Sequence, residues 1–155
     1  MRFTGSGAIT EGINLDFRVG VRGENRIGDV LAIQTLFRYI GLDDEFKRRF
    51  LGDMIIPESD GVCGPITLRA IRQFQNKNRS RLIRVDGVIH PASYRGRTVD
   101  TQKPVMTITL LHFFAWEAMG FQPDIDYVDG LIRIQPNFEH YLMLSPQARQ
   151  GLIDL

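Results

Sequence analysis

A repeated eight-residue turn constrains the fold of this chain more than any other feature of its sequence. The octet Asp-Gly-Val-Cys-Gly-Pro-Ile-Thr at 60–67 returns as Asp-Gly-Val-Ile-His-Pro-Ala-Ser at 86–93, with Asp, Gly, Val and Pro at the same offsets. Aspartate can bond the backbone two residues on, and glycine takes the positive φ of a tight turn. Proline fits the first position of a helix, where its missing N–H costs nothing. Each octet therefore predicts a turn that launches a helix.

The other residues of the octets have expected roles in the core and at the helix starts. We expect the valine of each octet, and the residue after it, to enter the core. The hydroxyls of Thr67 and Ser93 can satisfy a free helix N–H. The helix launched at 66–77 should turn four side chains inward and four outward: Ile66, Ala70, Ile71 and Phe74 against Arg69, Arg72, Gln73 and Asn76. The second launched helix is short, at 92–95.

The segment before the first octet predicts a strand and two helices. Residues 17–21 alternate with period two, which indicates a short strand, and 23–28 indicate a loop. Asp29 is the expected N-cap of a helix that ends at Gly41 in the left-handed conformation. Its apolar face is Val30, Ile33, Phe37 and Ile40. Residues 43–51 predict a short charged helix with Phe46 and Phe50 turned inward.

Two glutamines are expected to be structural. Gln34 and Gln75 each follow a core residue, Ile33 and Phe74. Their amides can satisfy backbone groups of the nearby turns.

The carboxyl-terminal part predicts a buried helix followed by shorter elements. Residues 107–119 are apolar almost all round, so this helix should be buried on more than one side. Asp129-Gly130 indicates a hairpin turn between 127–128 and 131–134. Ser145 followed by Pro146 indicates the start of a final helix.

The bulk composition limits the class of partner. The 155 residues suit one domain, or one module with an extension. With 19 basic and 18 acidic residues the net charge is +1, which argues against a nucleic-acid partner. The most apolar window, 105–121, falls short of the roughly 20 apolar residues of a membrane span. The amino end lacks the apolar stretch of a secretory signal, so we expect a cytoplasmic chain unless a non-classical route delivers it to the periplasm or wall.

The ionisable and nucleophilic residues form no evident catalytic constellation. His90, His112 and His140 lack the short spacing of zinc ligands. The single Cys63 excludes an intramolecular disulfide and a multi-cysteine metal site, and packing is its expected role. Glu117 lies in the most apolar helix, where a snorkelled or a paired side chain explains it more simply than glycosidase chemistry. We therefore expect a non-catalytic protein without metal or cofactor, with a wall hydrolase as the enzymatic alternative.

Taken in order, these motifs resemble the peptidoglycan-binding domain family. The helix with Ile33-Gln34, the octet at 60–67, the pair Phe74-Gln75 and the second octet match its three-helix module, its repeated Asp-Gly-x-x-Gly-Pro-x-Thr turn and its central Phe-Gln. The resemblance covers residues 25–96, with His90 in place of the family's second glycine. It implies a mainly α fold with short β segments, and non-catalytic binding of cell-wall peptidoglycan.

A second resemblance concerns residues 23–30, Gly-Glu-Asn-Arg-Ile-Gly-Asp-Val. This stretch is similar to wall-binding modules in cargo of bacterial contractile injection systems. The resemblance implies a secretion-system or phage protein as a partner, and a chain that is carried to the wall.

These expectations divide the chain into three parts. Residues 1–24 are a Gly-rich segment with a short strand, 25–100 are the peptidoglycan-binding-like module, and 101–155 are an aromatic-rich α+β extension. We expect the extension to pack on the module, because a helix that is apolar all round needs more cover than 127–155 supply.

The expected ligand surface lies where the polar face of the middle helix meets the second octet: Arg69, Arg72, Gln73, Asp86 and Tyr94. The arginines suit carboxylates of a peptide stem, the aspartate suits amines, and the tyrosine ring can lie along a sugar. An ordinary solvated helix face is the alternative for this surface. The alternative function is a protein–protein adaptor that docks through aromatic residues of the extension: Phe113, Phe114, Trp116, Phe121, Phe138 and Tyr141.

Overall fold

The described part of the chain consists mainly of helices, with a few short strands. The computed structural model describes residues 2–4, 12–92, 103–118, 131, 133 and 135–137. The helices are α1 (Ile27–Ile40), α2 (Asp44–Phe46, continued by a π-helical turn, Lys47–Leu51), α3 (Pro65–Lys77, followed by a 3₁₀ turn, Arg79–Arg81) and α4 (Thr107–Ala118). The predicted fold class, mainly α with short β segments, is confirmed.

Two pairs of short antiparallel strands accompany the helices. Strand β1 (Arg2–Thr4) pairs with β2 (Gly12–Asn14), and β3 (Val19–Gly20) pairs with β4 (Val88–Ile89). Strand β3 is the centre of the strand predicted at 17–21. Its partner is the backbone of the second octet, so the amino-terminal segment is tied to the second turn.

One phenylalanine from each long helix meets at the centre of the core. Phe37 of α1, Phe74 of α3 and Phe114 of α4 are each less than 2 % exposed. The ring of Phe74 lies 5.7 Å from that of Phe37 and 6.0 Å from that of Phe114, both edge to face. This is the arrangement that aromatic quadrupoles prefer. The three helices therefore share one core.

Helix α4 is buried on several sides, as its sequence predicts. Eight of its residues are buried, from Thr107 to His112 together with Phe114 and Ala115. The predicted inward Phe50 stacks on Phe114 at 4.1 Å, and Glu117 pairs with Arg49 at 3.1 Å. The described part of the extension thus packs on α1 and on the π-helical turn. None of the described helices is long and apolar enough to cross a membrane.

The predicted N-cap of α1 is wrong, whereas Gly41 ends the helix as predicted but not in the predicted conformation. The helix begins at Ile27 after Arg26, and the Asp29 carboxylate accepts the N–H groups of Asp16 and Phe17 instead of capping the helix. Gly41 has φ −74°, in the right-handed region. A side chain there would lie 3.1 Å from Cγ1 of Ile56, so close packing is the reason for a glycine.

The hairpin predicted around 129–130 is also wrong in its second strand. Leu131 and Arg133 are helical, and the N–H of Gln135 donates to the carbonyl of Leu131, as in a helical turn. Leu131 is buried in the core, and the Gln135 side chain donates to the carbonyl of Ser59. The first hairpin strand and the final helix predicted at Ser145 lie outside the described residues.

Candidate functional site

The first turn is held by a buried glutamine from α1. The Gln34 amide oxygen accepts the Gly61 N–H at 2.8 Å, and its nitrogen donates to the Val62 carbonyl at 2.9 Å and to the Thr67 hydroxyl at 3.1 Å. Asp60 lies 3.0 Å from the same nitrogen. Since the nitrogen carries two hydrogens for three acceptors, one of these bonds is shared. The turn is thereby fixed to α1 and to the start of α3.

The second turn repeats this arrangement one helix further along the chain. Gln75 of α3 accepts the Gly87 N–H at 2.8 Å and donates to the Val88 carbonyl at 2.9 Å and to the Thr107 hydroxyl at 3.0 Å. The glutamine and threonine are 32 positions apart here and 33 apart in the first turn. The predicted structural role of both glutamines is confirmed, and α3 belongs to both units.

The turn residues adopt the predicted backbone conformation. Gly61 and Gly87 both have φ +77°. Asp60 accepts the Val62 N–H at 2.9 Å, and Asp86 accepts the Val88 N–H at 3.0 Å. Proline stands at the start of α3, as expected.

Three details of the octets differ from the predictions. The Thr67 hydroxyl accepts from Gln34, not from a helix N–H. Val62 and Ile66, expected in the core, are 64 % and 52 % exposed, because the first turn and the first residues of α3 lie at the surface. In the second octet, Ile89 is buried as predicted.

The short helix predicted at 92–95 does not begin at Ala92. Pro91 and Ala92 are not helical. The Asn14 side chain bonds both the N–H and the carbonyl of Ala92, which draws the chain toward β2. Further on, Val105 pairs with Leu82, and α4 then begins at Thr107. Ser93 and the rest of the short helix predicted at 92–95 lie outside the described residues.

Hydrogen bonds stabilise the charged form of both turn aspartates. The Val62 N–H, and then the Gln34 amide, lower the pKa of Asp60. Burial alone would raise the pKa of Asp86, but the hydrogen bonds from His90 and from the Val88 N–H outweigh it and lower the pKa. Both turns therefore carry a negative charge at neutral pH.

The predicted ligand residues of α3 lie on its exposed side, and one of them flanks the second turn. Arg69, Arg72 and Gln73 are all exposed. A side chain at Gly87 would come within 3.5 Å of the Arg72 nitrogen Nε, so this arginine flanks the second turn. Asp86 is exposed on that turn. Tyr94 lies outside the described residues.

His90 is a further polar residue at this rim, and the sequence does not predict it as part of the ligand surface. Its ring nitrogen Nε2 lies 2.9 Å from the carboxylate of Asp86. The four-residue spacing of Asp86 and His90 was the available signal. The rim thus combines a guanidinium, a carboxylate and an imidazole beside the second turn, which suits recognition of a charged ligand by hydrogen bonds and ion pairs.

The nucleophilic and metal-binding residues of the described part have other surroundings. Cys63 is half-buried, and burial raises the pKa of its thiol against the opposing effect of the Gly20 N–H, so the less reactive protonated form is favoured. His112 is buried in α4. Over residues 12–92 and 103–118, no three His, Cys, Asp or Glu side chains converge as a metal site would need. His140 lies outside the described residues.

Comparisons of the chain with protein-family models, with curated proteins and with solved structures gave no match.

Proposed function

We propose that this chain is a non-catalytic binding protein for bacterial cell-wall peptidoglycan, and that α3 and the second turn present the ligand surface. One observation carries the proposal: a rigid, glutamine-held turn places Asp86 and His90 beside Arg72, on the exposed side of the helix that also presents Arg69. Peptide stems of the wall carry both carboxylates and amines, which these charges complement.

The geometry of the two turns supports the proposal in a second way. The motif residues that resemble the peptidoglycan-binding domain family do structural work: the glutamines, glycines and threonines hold backbone and connect helices. The ligand is then bound by surface residues that the scaffold positions, which is how binding sites are usually built on a shared fold. Tyr94 remains part of the proposed surface, as the side chain that meets a sugar ring.

Co-sedimentation of the full chain with purified sacculi tests this function. We expect saturable binding by the parent chain, and at least a tenfold loss of affinity in a variant with Arg69→Ala and Arg72→Ala, since a charge-assisted hydrogen bond contributes about 1.5–3 kcal/mol. The matched control is Arg38→Ala with Arg48→Ala, which removes the same charge from two exposed positions outside α3. Equal binding by both double variants would refute the placement on α3, and no binding by the parent would refute the function.

The described aromatic residues expose little surface for the docking that the adaptor function needs. Phe114 is 1 % exposed, and Phe113 and Trp116 are half-buried against the core of α4. Phe121, Phe138 and Tyr141 lie outside the described residues. We therefore propose wall binding ahead of an aromatic docking surface.

A further inference from the structure

The exposed apolar residues next to α3 are aliphatic, and three of them surround the first turn. Ile27, Val62 and Ile66 are 54 %, 64 % and 52 % exposed. A side chain at Gly61 would lie 2.8 Å from the Cγ2 methyl of Ile27, so the start of α1 adjoins the turn that carries Val62. Ile66 follows in the first turn of α3. We call these three side chains the first-turn patch.

The patch is continuous with the cationic side of α3. Ile66 and Arg69 are three positions apart on one helix, which places their side chains next to each other. Arg69 forms no ion pair with any residue of the described ranges, so its guanidinium is available to a ligand. A side chain at Gly64, between Val62 and Ile66, would meet nothing within 4 Å, which leaves room beside the patch. Aliphatic methyl groups and an available cation thus lie side by side.

This combination of aliphatic side chains and a cation favours the peptide part of peptidoglycan over its glycan part. Proteins that bind sugar rings commonly use an exposed aromatic face, and the exposed large apolar residues of the described part are all Ile, Leu or Val. Small aliphatic side chains with a carboxylate match methyl groups beside a guanidinium. Peptide stems carry both features together, as alanine methyl groups beside a terminal carboxylate, whereas the lactyl carboxyl of the glycan is bound in the amide link to the stem.

We infer that the first-turn patch and Arg69 bind the peptide part of the wall, as a short segment with small aliphatic side chains and a free carboxylate. This inference rests on the proposed wall-binding function and extends its surface from the second turn to the first. The peptide lies along α3, with its methyl groups on Val62 and Ile66 and its carboxylate on Arg69. The glycan makes the smaller contribution.

Intact sacculi, soluble glycan strands and a synthetic peptide test the choice of peptide over glycan with the full chain. We expect co-sedimentation with intact sacculi, and the stem-free glycan strands that an amidase releases should displace the chain at least tenfold less effectively than the peptide does. A synthetic tetra-alanine peptide with a free carboxyl end should displace the chain from intact sacculi, and its C-terminal amide should be at least tenfold less effective. Displacement by stem-free glycan strands as effective as by the peptide would overturn this inference and leave the wall-binding function standing. Absence of binding to intact sacculi would overturn the wall-binding function itself.

Serine substitutions locate the contact. Val62→Ser with Ile66→Ser should weaken binding to intact sacculi at least tenfold, whereas Leu42→Ser with Ile55→Ser, at positions 65 % and 61 % exposed outside the patch, should bind as the parent does. Val62→Thr, which keeps the shape of valine, gives a second variant if the serine pair unfolds. Unchanged binding by the patch variants would overturn the inference, as would displacement by the peptide amide as effective as by the acid. Loss of self-association with unchanged wall binding would assign the patch to a second copy of the chain and overturn it too.

Discussion

Replacing Gln75 with alanine tests the structural basis of the second turn most sharply. The side chain is fully buried and makes three hydrogen bonds, which join α3 to Gly87, Val88 and Thr107. A net contribution of about 0.5–1.5 kcal/mol for each bond, with the buried Gly87 N–H and the part-buried Val88 carbonyl left without this partner, gives a loss of about 2–4 kcal/mol. A domain of ordinary stability has about 5–15 kcal/mol in total, so the loss is large.

Equilibrium unfolding in urea measures this loss as a change of midpoint at constant slope. The matched control is Gln73→Ala, an exposed glutamine of the same helix that should change stability by less than about 0.5 kcal/mol. Gln34→Ala should cost as much as Gln75→Ala, because its amide makes the equivalent contacts with the first turn. A Gln75→Ala variant as stable as the Gln73→Ala control would refute the interpretation of the amide as the element that holds the turn.

Three other changes test the turns and the shared core. Gly61→Ala should destabilise the fold by about 1–2 kcal/mol, because Gly61 has φ +77°. Gly64→Ala is the control, because its added methyl group would meet nothing within 4 Å. Equal melting temperatures of the two variants would contradict the turn conformation. The hydrogen bonds that lower the pKa of Asp60 stabilise the fold at pH values above 3.8, the ordinary pKa of this group, and their contribution disappears as the pH falls through the lowered pKa. Asp60→Asn cannot titrate at this position, so it should lose less stability on acidification than the parent. An identical pH profile of the two chains would argue against this role. A chain that ends at residue 100 lacks α4, which buries Leu110, Leu111 and Phe114. Its free energy of unfolding should fall by several kcal/mol, since each large side chain contributes about 1.5–3 kcal/mol. An unchanged melting temperature would show that the module is independent of the extension.

The sequence predicted those features whose cause is local. Asp-Gly dictates its own turn within three residues, and periodicity identifies the buried faces of α1 and α3, so Gly61, Gly87, Phe37 and Phe74 were placed correctly. Gln34 and Gln75 could be predicted because a polar amide beside a core residue needs buried partners.

The wrong predictions depend on contacts between distant segments. The sequence around Asp29 is typical of an N-cap, but its carboxylate accepts the backbone N–H groups of Asp16 and Phe17 instead. The short helix predicted from Ala92 does not begin there, because Asn14, 78 positions away, bonds both the N–H and the carbonyl of Ala92. Val62 was expected inside, since an octet pattern does not indicate which side of a turn faces solvent. The sequence predicted the residues that α3 contributes to this rim, including Arg72. The contribution of His90 follows only from its contact with Asp86 in the structure.

A titration of the ¹⁵N-labelled full chain with soluble muropeptides, released from sacculi by a glycan-cleaving enzyme, tests the central claim most directly. The amide signals of Arg69, Arg72, Gln73 and Asp86 should shift progressively and saturate, while those of the buried core around Phe37 stay in place. Absence of shifts, or shifts confined to residues outside α3 and the two turns, would contradict the claim that this scaffold presents a wall-binding surface.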